Sequence, residues 1–165
     1  MTDKPEKADN KLSHVDDSGR AGMVDVSGKA HVERRAVATA TVAMSEQCAE
    51  QIAADNIKKG DVLTTAELAG TMAAKRTPEL IPLCHPLRLD HISVKCQLDQ
   101  PANVVHIAAT VGSCERTGVE MEALTAASVA ALTVFDMCKA VDPGMTIGPV
   151  RVESKIKDGE TTFQR

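Results

Sequence analysis

At 165 residues the chain is long enough for one domain with a substantial core, and 43% of its residues are hydrophobic. It has no Trp or Tyr and two Phe, so the core is expected to be aliphatic, and chemistry that needs a phenol or an indole is excluded. The net charge of −4 disfavours a general polyanion binder, and the scarcity of aromatic rings excludes stacking on nucleic-acid bases. We therefore expect no nucleic-acid partner.

The N-terminal region and the cysteines indicate the cellular compartment in which the protein is expected. Residues 1–22 are polar and without periodicity, which predicts a flexible segment that becomes partly ordered when a ligand binds, ahead of a single domain over residues 23–165. The polar N-terminus lacks the apolar stretch of a signal peptide, and no uninterrupted apolar run reaches the roughly 20 residues of a membrane span. Five cysteines without a CxxC motif predict reduced thiols. We expect a cytoplasmic protein with no membrane partner.

The first regular elements are a strand and two helices. Residues 31–44 alternate between two faces, one of them rich in Ala, which predicts a strand. Ser45 followed by Glu46 predicts the start of a helix over residues 45–57. After a turn, a second helix is predicted over residues 64–75.

The next segment, residues 75–87, is the most unusual part of the sequence. It contains three prolines, which a helix interior or a central strand does not accept, yet the residues between them are mostly apolar. We expect a stiff, largely buried loop. Its Cys84–His85 pair follows the two cations Lys75 and Arg76, so the loop is interpreted as one that positions functional groups.

The C-terminal half continues with two strands, a long helix and a last strand. Residues 89–98 and 104–114 alternate and are joined by a hairpin at residues 100–103. Apolar residues three to four apart predict a helix over residues 119–141. A last strand is predicted over residues 149–156.

The resulting order, β-α-α-β-β-α-β, predicts an α+β fold close to the ferredoxin-like scheme, with an extra helix in the first crossover. In that scheme a four-stranded antiparallel sheet carries its helices packed on one face. We therefore expect one layer of helices on one sheet.

Two charged clusters lie on the long helix. Asp136 and Lys139 are three residues apart and share a face, either as a solvated surface pair or, if partly buried, as acid–base groups with shifted pKa values. At the other end, Glu120 and Glu122 suit the positive end of the helix dipole, although the amides there could instead face an anionic ligand. Glu122 and Asp136 are about 21 Å apart at 1.5 Å per residue. Either one end alone is catalytic, or two chains combine opposite helix ends into one site, as an isologous dimer would.

A metal site is the less favoured interpretation of the cysteines. Cys84, His85, Cys96 and Cys114 match no common zinc spacing, and cysteine is often a buried, inert residue. His85 is better interpreted as a hydrogen-bond donor to an anion. Cations from separate segments could grip a phosphate-rich ligand without a P-loop, although scattered cations are usually only solvated. They are Lys29, Arg34, Lys59, Lys75, Arg76, Lys139 and Lys155.

Together these segments resemble the cyclic pyranopterin monophosphate synthase family of molybdenum cofactor biosynthesis, also called molybdenum cofactor biosynthesis protein C. The resemblance covers the chain from about Leu12 to its C-terminus. The stretches that carry it are residues 12–16, 23–29, 75–87, 115–124 and 132–141. It implies a lyase that converts 3′,8-cyclo-7,8-dihydroguanosine 5′-triphosphate, a cyclised GTP, to cyclic pyranopterin monophosphate and pyrophosphate. It also implies a homo-hexamer, a trimer of dimers, with sites between subunits.

The resemblance also implies roles for individual residues. Asp136 is the catalytic acid/base, with Lys59 and Lys139 as its partners in proton transfer and phosphate contact. The expected substrate-binding residues are Leu83, Cys84, His85, Glu120, Met121, Glu122, Arg34, Lys29, Lys75, Arg76 and Lys155. The sequence requires no cofactor, and it leaves open whether a divalent ion such as Mg²⁺ accompanies the triphosphate. The alternative interpretation is a non-catalytic module that binds GTP-like nucleotides.

The C-terminal segment departs from the family. Residues 156–161 read Ile-Lys-Asp-Gly-Glu-Thr where the family has Gly-Gly-Lys-Ser-Gly. The role implied for Lys155, which directly precedes this segment, is affected most.

Overall fold

A computed structural model describes residues 19–165 of the chain. The predicted flexibility of residues 1–22 concerns mainly residues 1–18, which lie outside the described residues. Within residues 19–165 the structure has five strands and four helices. In chain order they are β1 (Val32–Ala43), α1 (Glu46–Ala53), α2 (Val62–Ala74), α3 (Thr77–Leu80), β2 (His91–Asp99), β3 (Val104–Glu115), α4 (Glu120–Cys138), β4 (Thr146–Lys157) and β5 (Glu160–Gln164).

The strands form one antiparallel sheet in the order β2-β3-β1-β4-β5. The α+β class and the single antiparallel sheet with its helices on one face are confirmed, and the order of the first four strands is consistent with the ferredoxin-like scheme. The predicted count of four strands is wrong, because β5 adds an edge strand. β5 turns back from β4 through Asp158 and Gly159, which both have positive φ and form the tight hairpin turn that suits twisted strands.

The core lies between the sheet and helices α2 and α4, and small residues bring these layers close together. Ala36, Ala38 and Ala40 of β1 are fully buried. They share the core with the buried alanines of α4. A Cβ built on Gly70 of α2 would lie 2.8 Å from the carbonyl oxygen of Ala126, so glycine is needed where α2 crosses α4. The aliphatic core expected from the composition is confirmed.

Helix α1 ends earlier than predicted, and helix α2 begins earlier than predicted. α1 begins as predicted, since the Ser45 hydroxyl accepts a hydrogen bond from the Cys48 amide at 3.3 Å, but it ends at Ala53. α2 begins two residues earlier than predicted because Asp61 caps it, accepting from the Thr64 amide at 3.0 Å.

The proline-rich segment is less buried than its sequence suggests. Residues 77–80 form the short helix α3, which accepts Pro78 because the first turn of a helix needs no amide donor at that position. The Leu80 side chain is exposed (57%), and the other apolar residues of the loop are half-buried. The expectation of a largely buried loop is therefore wrong.

Helix α4 is the central helix of the fold. It spans 19 residues, and within residues 19–165 it alone is long and apolar enough to cross a membrane. More than half of that stretch (56%) is buried inside the domain, which is how the core helix of a globular protein behaves. Its position on the sheet places its N-terminal turn beside β4 and the proline-rich segment, where the main cavity lies.

Candidate active site

The main cavity has a volume of about 530 Å³ and lies at the N-terminal end of α4. Four separate segments and the edge strand β5 contribute to its walls. Eight of the predicted substrate-binding residues line it, namely Lys29, Leu83, Cys84, His85, Glu120, Met121, Glu122 and Lys155. Lys75 and Arg76 do not line it and stay exposed at the end of α2.

His85 is held in place by a backbone contact. Its Nε2 lies 2.8 Å from the carbonyl oxygen of Val24, which can only accept, so Nε2 carries a proton. The hydrogen bond ties the proline-rich segment to the segment that carries Lys29. The other ring nitrogen, Nδ1, is left for a ligand, and it donates to an anion only when the ring is charged.

Glu122 is the buried carboxyl group of the cavity. Its side chain is almost inaccessible (3% exposed) although it lies in the first turn of α4. Burial, with a smaller contribution from the nearby charge of Glu120, raises the pKa of Glu122 to about 7. A carboxyl group with this pKa holds and releases a proton near neutral pH, as general acid–base catalysis requires.

Glu120 and Lys155 form a contact between α4 and β4. The Lys155 Nζ lies against Glu120 Oε1, and the Glu120 carboxylate lies over Gly118. Any side chain at Gly118 would collide with that carboxylate. Glu120 therefore holds the ammonium group of Lys155 at the wall of the cavity.

Arg34 has a different environment from the one expected of a phosphate ligand. Its Nε donates to the carbonyl oxygen of Glu115 and its second terminal nitrogen donates to that of Arg116, both at 3.1 Å. These bonds fix the turn that leads into α4. Arg34 lines a smaller cavity beside the main one rather than the main cavity itself.

The predicted catalytic group lies at the other end of α4. Lys59 Nζ donates to Asp136 Oδ2 at 2.6 Å and to the Asp136 carbonyl oxygen at 2.8 Å. Lys139 Nζ lies 2.7 Å from Asp136 Oδ1. Hydrogen bonds from Lys139 and Lys59 lower the pKa of Asp136 to about 2, so this carboxylate is ionised at neutral pH. All three side chains are about half exposed.

This ion cluster and the main cavity are separate within one chain. No residue of the cluster lines the main cavity. Asp136 and Glu122 are both on α4, about 21 Å apart along the helix axis. The distance expected from the sequence is therefore retained in the fold, and one chain alone does not bring both groups to one reacting atom.

The cysteines of the proposed metal set do not gather. Within residues 19–165 no three His, Cys, Asp or Glu side chains are placed to hold a metal ion. Burial and the charge of Glu122 raise the pKa of the Cys84 thiol, which therefore stays protonated at neutral pH. Cys84 thus forms part of the cavity wall, and its protonated thiol is a poor nucleophile.

Sequence reasoning missed several cavity residues. Thr117 and Gly118 lie in a stretch that the resemblance covers, so the motif itself could have indicated them. Phe163 reaches the cavity from β5, a strand that was not predicted. No pattern in the sequence indicates its position.

These features define the class as an α+β protein with a pocket for a small polar molecule. The pocket combines a buried carboxyl group, an oriented histidine and two lysines. The chain belongs to the MoaC family, whose model matches residues 23–158.

Curated relatives with one shared name support this membership. A protein of Roseiflexus sp. (strain RS-1), named cyclic pyranopterin monophosphate synthase, is 56% identical over 144 residues, covering 87% of this chain and 91% of the relative. A protein of the same name from Geobacter sulfurreducens is 52% identical over 154 residues, covering 93% and 96%. One from Clostridium perfringens (strain SM101) is 50% identical over 157 residues, covering 94% and 99%.

Proposed function

We infer that this chain is a cyclic pyranopterin monophosphate synthase of molybdenum cofactor biosynthesis. In this reaction 3′,8-cyclo-7,8-dihydroguanosine 5′-triphosphate yields cyclic pyranopterin monophosphate and pyrophosphate. The observation that supports the proposal most directly is the lining of the main cavity. The sequence identity of 56% to a relative of that name agrees with it. One cavity joins a carboxyl group of near-neutral pKa to the cations that a triphosphate needs.

The rearrangement of the ring system requires staged proton transfers. Glu122, whose pKa is about 7, is suited to give and take protons in the main cavity. Asp136 begins ionised and therefore acts first as a base, and the ammonium groups of Lys59 and Lys139 can supply protons to the same region. His85 is oriented by Val24 so that Nδ1 is free to contact the substrate.

Loss of pyrophosphate requires stabilisation of the departing negative charge. Lys29 and Lys155 line the main cavity and carry the positive charge for this step. The apolar and small residues of the cavity, among them Leu83, Met121 and Gly118, leave room for the ring system. Fixed placement of a flexible nucleotide contributes to the rate in addition to these charges.

We propose further that the complete site forms between two copies of the chain, within a hexamer built as a trimer of dimers in the cytoplasm. The 21 Å between the two ends of α4, about fourteen residues at 1.5 Å each, supports this composite site. Exposed apolar side chains on the outward faces of α2 and α4 support contact with a second copy. Leu68, Met72 and Leu132 are each about half exposed or more, and Leu132 lies one turn before Asp136.

The test is a product assay with the cyclised GTP substrate and the purified full chain. We expect cyclic pyranopterin monophosphate and pyrophosphate in equal amounts. The Asp136→Asn variant should lose most of the activity while assembling normally. Asp55→Asn is the matched control, since Asp55 is exposed and Asn tolerates its positive φ.

Two results would contradict different parts of the proposal, namely the catalytic activity and the role of Asp136. Binding of the substrate without release of pyrophosphate would favour the non-catalytic nucleotide-binding module. Turnover close to that of the unmodified chain in a correctly assembled Asp136→Asn protein would remove the role given to Asp136.

A further inference from the structure

We propose that Asp142 is a positioning residue, whose carboxylate fastens the start of α1 to the turn after α4 and so holds Lys59 in contact with Asp136. This inference rests on the proposed function, in which Lys59 and Asp136 act together. Asp142 lies in the turn between α4 and β4, six residues after Asp136, and is half-buried. It does not line the main cavity, so it acts through the two residues that it positions.

Both carboxylate oxygens of Asp142 accept hydrogen bonds from backbone amides. Oδ1 accepts from Gly144 at 2.9 Å within the turn itself. Oδ2 accepts from Ser45 at 2.6 Å, a contact between positions 97 apart in the sequence. These hydrogen bonds, mainly the one from Ser45, hold the pKa of Asp142 below its usual value, so the carboxylate is ionised at neutral pH. Hydrogen bonds to an ionised acceptor are roughly twice as strong as neutral ones, which makes Asp142 a firm link between the two segments.

The position of Asp142 is explained by α1 rather than by α4. The helix dipole disfavours a negative charge near the C-terminal end of a helix, and Asp142 lies four residues after the last residue of α4. The same charge is favoured at the N-terminal end of a helix, and Ser45 is the residue that caps α1. Pairing of Ala43 with Thr146 in the sheet brings these two helix ends together. Asp142 therefore connects the end of α4 to the start of α1.

A second contact joins α1 to α4 at the same place. Cys48 of α1 and Cys138 of α4 are both fully buried, and their thiols form a hydrogen bond. Cys138 belongs to the last turn of α4, which also carries Asp136. The buried face of α1 thus packs against the helical turn that holds the ion cluster. Because Ser45 caps the helix that contains Cys48, the Asp142 bond fixes the start of a helix already packed there.

Lys59 lies at the other end of this segment. It follows the last residue of α1 by six positions, and its ammonium group donates both to the carboxylate of Asp136 and to the carbonyl oxygen of the same residue. Carbonyl oxygens in the last turn of a helix lack partners within the helix, so this bond also caps α4. The segment from the start of α1 to Lys59 is held against α4 at both ends and by the thiol contact between them. Asp142 supplies the first of these bonds.

Loss of the first bond should loosen the last one. Without the Asp142 carboxylate the start of α1 is free to move relative to α4, and the half-exposed ammonium group of Lys59 can exchange Asp136 for water. An ammonium group that donates to two oxygens must leave them before it reacts with an acylating reagent. The acylation rate of Lys59 therefore measures how firmly this contact is held, and it does not depend on turnover.

The experiment measures the acylation of each lysine of the full chain by acetic anhydride, followed by mass spectrometry of its peptides. In Asp142→Ala, Lys59 should react about two- to fivefold faster than in the unmodified chain, the factor expected for loss of one exposed ion pair. Lys58 is the internal reference, because it is the exposed neighbour of Lys59 and its rate should not change. Asp90→Ala is the control variant. The Asp90 carboxylate also accepts a distant backbone amide, that of Cys114 at 2.8 Å, but at the end of β1 opposite to α1.

Enzyme kinetics give the second measurement. Asp142→Ala should lower kcat for pyrophosphate release about two- to fivefold, in line with the loss at Lys59. KM should stay within about twofold, because Asp142 does not line the cavity that binds the substrate. Asp142→Asn keeps one oxygen that can accept an amide, so it should show a smaller change in both measurements. It also replaces Asp142→Ala in the comparison if that variant does not assemble.

Equal acylation of Lys59 in Asp142→Ala and Asp90→Ala would overturn the inference. An equal rise at Lys58 would also overturn it, because the chain would then have loosened as a whole. So would a faster reaction at Lys59 with an unchanged kcat, since the bond would then have no effect on the reaction. A chain whose Lys59 responds as described but which never releases pyrophosphate from cyclised GTP would instead refute the proposed function.

Discussion

Replacing Glu122 by Gln removes a buried carboxyl group without changing its shape. Glu122 is only 3% exposed, and burial raises its pKa from the usual 4.5 to about 7. In the folded chain the group thus stays protonated at pH values where the unfolded chain has released the proton. The folded state is therefore favoured below pH 4.5 and loses stability as the pH rises toward 7.

The size of this effect follows from the shift. Between pH 4.5 and about 7 the unfolded state binds fewer protons at this position than the folded state does, so the free energy of unfolding falls with pH. At about 1.4 kcal/mol per pKa unit the loss amounts to at most about 3 kcal/mol. Glu122→Gln carries no such penalty, so it should be more stable than the unmodified chain above pH 7 by up to that amount.

The assay is urea unfolding of both proteins at pH 4.5, 6 and 8 and at one protein concentration, because assembly also contributes to stability. The difference between the two proteins isolates Glu122 from the other titrating groups. Glu50→Gln provides the control, since Glu50 is exposed and should show no pH-dependent difference. Equal stability of Glu122→Gln and the unmodified chain at pH 8 would refute the claim that this carboxyl group is desolvated.

Three further predictions concern packing, capping and the pH dependence of activity. Gly70→Ala should destabilise the chain by about 1–3 kcal/mol in urea unfolding, because the new Cβ meets the Ala126 carbonyl oxygen, whereas Gly148→Ala, with space around it, should not. Asp61→Ala should cost about 1 kcal/mol in the same measurement, through loss of the α2 cap, and an unchanged stability would contradict the cap. The pH profile of kcat/KM should contain an apparent pKa near 7. The residual activity of Glu122→Gln should lack this limb, and a limb that persists would exclude Glu122 as its source.

The elements predicted best from the sequence are those with strong periodicity. The alternation around β1 and the apolar stripe of α4 gave bounds within about three residues, because each of these elements buries one face. β5 was missed because its five residues are all exposed, so no apolar alternation marks it. Only the Asp158–Gly159 turn signals the hairpin, and it is one dipeptide.

The sequence predicted part of the cavity lining but not the contacts within it. The substrate-binding residues expected on α4 and the proline-rich segment line one cavity, whereas the expected catalytic residues Asp136, Lys59 and Lys139 lie at the other end of α4. The bonds from Arg34 to the turn before α4 depend on strand register, which the sequence alone does not fix. Lys59 and Asp136 are 77 positions apart, and no local pattern indicates their contact.

The most direct test of the central claim is complementation between two inactive variants. Asp136→Asn and Glu122→Gln are produced separately and together, and pyrophosphate release from cyclised GTP is measured. In a mixed dimer, one site carries both substitutions and the other carries neither. Random pairing therefore leaves about a quarter of all sites intact.

We expect the co-produced protein to recover about a quarter of the activity of the unmodified chain, while each variant alone stays nearly inactive. Activity that stays at the level of the single variants, in protein shown to contain both chains, would contradict a site composed of the two ends of α4 from different copies.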